Sequence, residues 1–187
     1  MENNRLKYYE EAHLYLLDDL YVLPSVTQIL KKIFPNKYKG IPKKILENKA
    51  EYGTKVHKAI EDIENGKIIE VDNVYVNESL KQFKKLKDKH FIEVIDQEQM
   101  IHYEYYYAGR FDMIANVDGK YSLCDIKTTS VVDKEYLSWQ LSMYELGYGD
   151  TFEKFYCIWL PKGSIGKLIE IERKDKDKIL EVLNENK

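Results

Sequence analysis

The sequence predicts an α/β fold, a mixed central β-sheet flanked by helices. Two observations predict it. Residues 91–127 are dense in strand formers that alternate with period two, and they contain the turn "VDGK". Runs with helical spacing bracket that block, and two further strand-like runs follow it. Strands and helices mixed in this order pack as one sheet with helices on it. The 187 residues suffice for one domain with a sizeable core. We expect a single domain over 1–187, with an entry hairpin and a mostly helical part over 1–90 and the sheet with its helices over 91–187.

Each element has its own signal. "HLYLLDDLYVL" reads as two short strands around an Asp18–Asp19 turn. In "PSVTQILKKIF", Ser25 can cap a helix whose apolar positions are Val26, Ile29, Leu30 and Ile33, and Pro35 stops it. A second helix is expected from Pro42 towards Tyr52. A third, "GTKVHKAIEDIENG", takes Thr54 as its cap, turns Val56, Ile60 and Ile63 inward, and closes at Gly66. A fourth, "VNESLKQFKKLKDKH", takes Asn77 as cap and Leu80, Phe83 and Leu86 as its stripe. Residues 91–103, 107–117 and 121–127 read as three strands. "DKEYLSWQLSMYELGY" is a helix from about Asp133 that ends before Gly149. "EKFYCIWL" and "GKLIEIER" are strands around a Pro-Lys-Gly turn, and "KDKDKILEVLNENK" is a closing helix.

Composition excludes some classes. Two cysteines, Cys124 and Cys157, cannot alone build a disulfide framework or a four-thiolate metal or iron–sulfur site. We expect them to be small buried residues in a reducing compartment. No apolar run approaches the roughly 18 residues of a membrane span, and "MENNRLKYYEEAH" has no signal-peptide apolar core. The expected location is the cytoplasm, or the host cytoplasm if the chain is phage-encoded. The net charge of −3 is unevenly spread: residues 31–58 hold nine Lys against two Glu, +7 locally, and the remainder sums to −10. That split suits a polyanion on one face and acidic metal ligands elsewhere; it equally suits a solvated lysine-rich surface.

The stretch "AGRFDMIANVDGKYSLCDIKT" concentrates the chemistry. Alternation puts Asp125 and Lys127 on one face of their strand, about 6.5 Å apart along the backbone, with Cys124, Ile126 and Thr128 on the other. The "VDGK" turn pairs Val117 with Lys120 or Tyr121, so Asp112 lands within a residue or so of Asp125. Two carboxylates and an ammonium then meet at one spot. Like charges there repel unless a cation intervenes. Asp oxygens and a backbone carbonyl are hard ligands suited to Mg²⁺ or Mn²⁺. Lys127 would stand beside the attacking water, to orient it or take its proton. An Asp-x-Lys in a strand is more often an ion-pair face worth about 0–1 kcal/mol, but this one sits in an apolar strand, where charges need a reason.

With these residues in place, the sequence resembles the PD-(D/E)xK nucleases in their RecB-like exonuclease branch, over about residues 13–148. "HLYLLDDLYVLPSVTQIL" looks like the entry segment of phage exonucleases and of the mitochondrial genome maintenance exonuclease. "GTKVH" looks like the branch's Gly-x-x-x-His helix, which implies that His57 binds metal. "AGRFD" looks like the strand motif of the first aspartate, Asp112, with Phe111 where a proline is often found. "DIK" looks like the Asp/Glu-x-Lys motif, at Asp125 and Lys127, and "WQLSMY" like the Gln-x-x-x-Tyr helix, at Gln140 and Tyr144. Glu98 in "DQEQMI" takes the place of the usual glutamate before the first aspartate, with Glu93 and Glu104 as its competitors. Some members carry a four-cysteine iron–sulfur cluster, for which two cysteines are too few.

The resemblance implies a restriction-endonuclease-like fold and a metal-dependent DNA exonuclease of replication, recombination or repair. His57, Glu98, Asp112, Asp125 and the Ile126 carbonyl would hold one or two Mg²⁺ or Mn²⁺ ions. Asp112, Asp125 and Lys127 would be catalytic. Substrate DNA, single-stranded or with free ends, would meet Gln140, Tyr144, Lys43, Lys44 and Thr54. Two other readings stay open: an endonuclease on the same fold, and a DNA-binding accessory without catalysis. Tyr103, Tyr105, Tyr106 and Tyr107 form a tyrosine row whose default role is strand packing.

Overall fold

A computed structural model describes residues 5–185 of the chain. Its entry segment is a three-stranded antiparallel meander of β1 (Leu6–Tyr9), β2 (Leu14–Leu17) and β3 (Tyr21–Leu23). Asp18 and Asp19 make the expected turn, both at positive φ, which short polar side chains tolerate. β1 is an addition to the expected hairpin. Charged neighbours hide its pattern, and the ion pairs Arg5–Asp18 and Lys7–Asp19, each 2.6 Å, fasten it across the turn.

Helix α1 (Val26–Ile33) starts as expected at Ser25, which forms a full capping box with Gln28. Helix α2 (Lys43–Glu64) corrects the sequence reading. The two helices expected over 42–66 are one, and Thr54 is an exposed interior residue, not a cap. One interior glycine costs a helix only about 1 kcal/mol, too little to break 22 residues. Helix α3 (Val74–His90) starts earlier than expected: Asn73 accepts from the Tyr75 and Val76 N–H groups, while Asn77 lies inside the helix. Two β-branched residues in the first turn, Val74 and Val76, disguised it.

The strands expected over 91–103 and 107–117 each break in two. β4 (Glu93–Gln97) and β5 (Met100–Tyr103) are separated at Glu98, and β6 (Tyr107–Arg110) and β7 (Met113–Val117) at Phe111 and Asp112. Pairing continues across the gap through Glu98 N–H to Asp112 O at 3.1 Å and Phe111 N–H to Gln99 O at 3.2 Å. The result is one bent ribbon. A register shift between Val94 and Asp96 and the positive φ of Glu98 supply the bend, as bulges do.

β8 (Lys120–Lys127), α4 (Lys134–Tyr148), β9 (Lys154–Trp159), β10 (Lys167–Ile171) and α5 (Lys176–Glu185) follow as expected. The last two residues of the expected closing helix, Asn186 and Lys187, lie outside the described residues, as do residues 1–4. The main sheet runs β10–β9–β8–β7–β4, and only β8–β9 is parallel. One face buries Ile114, Leu123, Phe155 and Cys157 under α1, α4 and α5. The other buries Met113, Ala115, Cys124, Ile126 and Ile158 under α2 and α3. The two cysteines are buried and free, on opposite faces. This mixed α/β arrangement is consistent with a restriction-endonuclease-like fold. Among the described residues no helix is long and apolar enough to cross a membrane.

Candidate functional site

The site forms where the bent ribbon meets the C-terminal end of β8. Val117 pairs with Lys120 and Met113 with Cys124, so the next position brings Asp112 beside Asp125, as counting from the turn predicts. The Ile126 N–H donates to Asp112 Oδ2 at 2.7 Å, which fixes that carboxylate on the strand. Helix α2 supplies His57 from the other side. Gly53, one turn earlier, allows the approach: a Cβ there would meet Thr128 Oγ1 at 3.3 Å.

His57 has two distinct nitrogens. Nε2 lies 2.9 Å from the Ile126 carbonyl, which can only accept, so Nε2 carries a hydrogen. Nδ1 faces Asp112 Oδ1 at 3.5 Å. Burial works against a charged His57, but the Asp112 carboxylate outweighs it and raises the pKa. Asp112 shows the converse. Burial would raise its pKa, yet His57, Lys127 and the Ile126 N–H bring it down to about 2.

Ligand atoms of His57, Glu98 and Asp112 all lie within 4.8 Å of one another. The Glu98 carboxyl has a raised pKa through burial and the charge of Asp112. Its Oε2 forms an ion pair with Arg110, 2.8 Å from Nε. Two carboxylates and one imidazole nitrogen are a donor set that fits a divalent cation of the Mg²⁺–Mn²⁺ kind.

Asp125 stands apart from that trio. It is almost fully buried, and Lys127 Nζ lies 2.8 Å from Oδ1 and 2.7 Å from Oδ2; only the Oδ1 contact has hydrogen-bond alignment. Burial, joined by the charge of Asp112, pushes the Asp125 carboxyl up to about 6 despite Lys127. Burial disfavours the Lys127 charge too, but Asp125 and Asp112 outweigh it and raise its pKa. In the metal-free chain the ammonium is thus the favoured form, which suits orienting a water and stabilising negative charge.

Gln140 and Tyr144 share a face of α4, and Gln140 Nε2 donates to the Tyr144 hydroxyl at 3.1 Å. Both are buried, with the Tyr144 ring packed against Gly109 of β6. Gln140 Oε1 is buried without a hydrogen-bond donor among the described residues. Lys43, Lys44 and Thr54 lie exposed along α2, Thr54 about one turn before His57 and the two lysines near the start of the helix; Lys43 is 3.4 Å from Glu47. Glu93 and Glu104, the competitors of Glu98, are exposed outside the trio. Sequence reasoning missed Arg110, although its place two residues before Asp112 in a strand-like run was a signal.

No protein-family model matches the chain, and no curated protein matches it in sequence. Two solved structures overlap it loosely. The crystal structure of SSO0001 is 17% identical, covers 86% of this chain and 72% of its own, and gives a TM-score of 0.48. A phage-related exonuclease from Haemophilus somnus 129PT is 10% identical, covers 90% and 91%, and gives 0.42.

Proposed function

We propose that the chain is a divalent-metal-dependent deoxyribonuclease that works from DNA ends. One observation carries this reading: the His57, Glu98 and Asp112 ligand atoms converge within 4.8 Å beside a buried Asp125–Lys127 pair. A structural ion pair needs no third carboxylate and no imidazole next to it. His57, Glu98 and Asp112 would hold Mg²⁺ or Mn²⁺, with Asp125 and the Ile126 carbonyl next to them. A divalent ion in that place supplies Lewis-acid polarisation of a phosphodiester oxygen and activation of the attacking water.

The chain's own groups do the rest. Ile126 orients both neighbours, since its carbonyl holds His57 Nε2–H and its N–H holds Asp112. Asp125 fixes the Lys127 ammonium where negative charge develops on the phosphate, a preorganised interaction that costs no rearrangement. Gln140 and Tyr144 brace α4 behind the strand. The preference for ends follows from the motif resemblance, and DNA topology tests it. End-labelled single- and double-stranded DNA is incubated with Mg²⁺, Mn²⁺ or EDTA, alongside a closed supercoiled circle. Metal-dependent loss of the label with an intact circle is expected. Cutting of the circle makes the chain an endonuclease; binding without any cleavage makes it an accessory.

A further inference from the structure

Arg110 joins the ligand cluster to an aromatic strip on the entry sheet. Its Nε is 2.8 Å from Glu98 Oε2, and its side chain remains 47% exposed. Its guanidinium carbon lies 5.6 Å from the centroid of the Tyr8 ring. Tyr8 is the cross-strand partner of Tyr15, with centroids 4.7 Å apart and a 35° tilt. His13 meets the Tyr8 edge at 6.2 Å. Tyr15 is buried and its hydroxyl, pushed up to about 12 by burial, sits in the field of Arg110 and Glu98. Phosphate hydrolysis has no use for such a strip. A planar cation lying over an aromatic ring offers a platform for a further flat group, and its charge favours one attached to a phosphate.

Resting on the nuclease reading above, we propose that Arg110, backed by Tyr8 and the buried Tyr15, forms a stacking subsite for one unpaired base next to the phosphate at the ligand cluster. In a duplex each internal base is already stacked on its neighbours, so only a strand with a free base face can use the platform. Arg110 thereby selects single-stranded or frayed ends, and its ion pair with Glu98 sets the distance between base and reacting phosphate.

The test reads binding in EDTA, where strands stay whole. The full chain is titrated with a fluorescent single strand, with blunt duplex, and with strands carrying one abasic site moved along the first few nucleotides. Wild type should bind the single strand about tenfold more tightly than the strand abasic at the subsite position, and should quench 2-aminopurine placed there. Tyr8→Leu and Arg110→Lys should each remove that ratio and the quenching, whereas Tyr8→Phe, which keeps the ring, should retain both. Equal affinity of wild type for intact, abasic and duplex DNA overturns the proposal. So does an unchanged ratio in both Tyr8→Leu and Arg110→Lys, or its loss in Tyr8→Phe. Cleavage is scored separately with Mn²⁺: stacking without cleavage sinks the nuclease reading alone, and cleavage without stacking sinks the subsite alone.

Discussion

Asp125 and Lys127 set the electrostatic limits of the site. Lys127→Ala strands a carboxylate that is 2% exposed. Breaking one side of a buried pair costs about 3–5 kcal/mol, less here because Asp125 can take up a proton. We expect Lys127→Ala to lower stability in denaturant titration and Lys127→Ala with Asp125→Asn to recover most of the loss, while neither cleaves DNA. Normal cleavage by either folded variant would remove Lys127 from the reaction. The pH dependence of the metal-free protein has a definite sign. In the folded chain Asp125 keeps its proton up to about 6 instead of 3.8. Between those values the folded state binds more protons, so stability falls as pH rises, and the penalty persists above. Asp112, brought from 3.8 to about 2, acts oppositely: its contribution is present above 3.8 and is lost as pH falls towards 2. Asp125→Asn should therefore shrink the decline between pH 3.8 and 6, leaving the smaller part due to the raised Glu98 carboxyl, and keep the acid limb in place, as thermal melts across pH would register. On the nuclease reading, His57 would govern metal choice. Imidazole suits Mn²⁺ better than Mg²⁺, so His57→Ala should weaken Mn²⁺ more than Mg²⁺ in calorimetric titration. Equal losses would make His57 structural.

Helix α4 and the bent ribbon meet without a spare atom at Gly109. A Cβ there would lie 2.8 Å from Tyr144 Cε1 and 3.1 Å from Val26 Cγ2. Gly109→Ala should destabilise by about 1–3 kcal/mol, the usual range for overpacking. Against a Tyr144→Leu background the penalty should shrink, with a coupling energy above about 0.5 kcal/mol in a double-mutant cycle; additivity would place the strain elsewhere. What the sequence disclosed follows the range of the forces involved. Helix α4 was legible from both ends because Asp133 caps it and Gly149 closes it in the left-handed region. The approach of Asp112 to Asp125 was legible because a tight turn fixes hairpin register. The break at Glu98 was not, since the polar run Asp96–Gln99 still reads as alternation, and the bend is imposed by pairing with residues further along the chain. His57 meets Ile126 across 69 positions, a contact that no local signal contains and that only the motif order suggested. Gly53 misled for the opposite reason: it looks like a helix boundary, but it is there because β8 passes close to α2.

On the nuclease reading, the charge along the molecule would let DNA binding and chemistry use different stretches of one helix. Of the lysines in 31–58, Lys37, Lys55 and Lys58 are held closely by acids at Asp133, Glu51, and Glu61 with Asp62, and Lys43 more loosely by Glu47 at 3.4 Å. Lys31, Lys32, Lys39, Lys43, Lys44 and Lys49 are exposed. On α2, Lys44 lies thirteen residues before His57, roughly 20 Å at 1.5 Å per residue. Lysines at that distance lie beyond a Debye length from the reacting phosphate at physiological salt, so they can guide the DNA backbone without stabilising charge in the reaction. Lys43→Ala with Lys44→Ala should therefore weaken DNA binding and flatten its salt dependence by roughly 0.7 in slope per lost phosphate contact on a single strand. The cleavage rate at saturating DNA should change little. Lys55→Ala is the control, because Glu51 already occupies that ammonium at 2.6 Å and its loss should leave the slope nearly unchanged. Binding isotherms over a salt series, with single-turnover rates on the same proteins, separate the two effects. If the double variant keeps the wild-type slope, DNA runs over another face; if it keeps the slope and loses the rate, this end of α2 belongs to the chemistry.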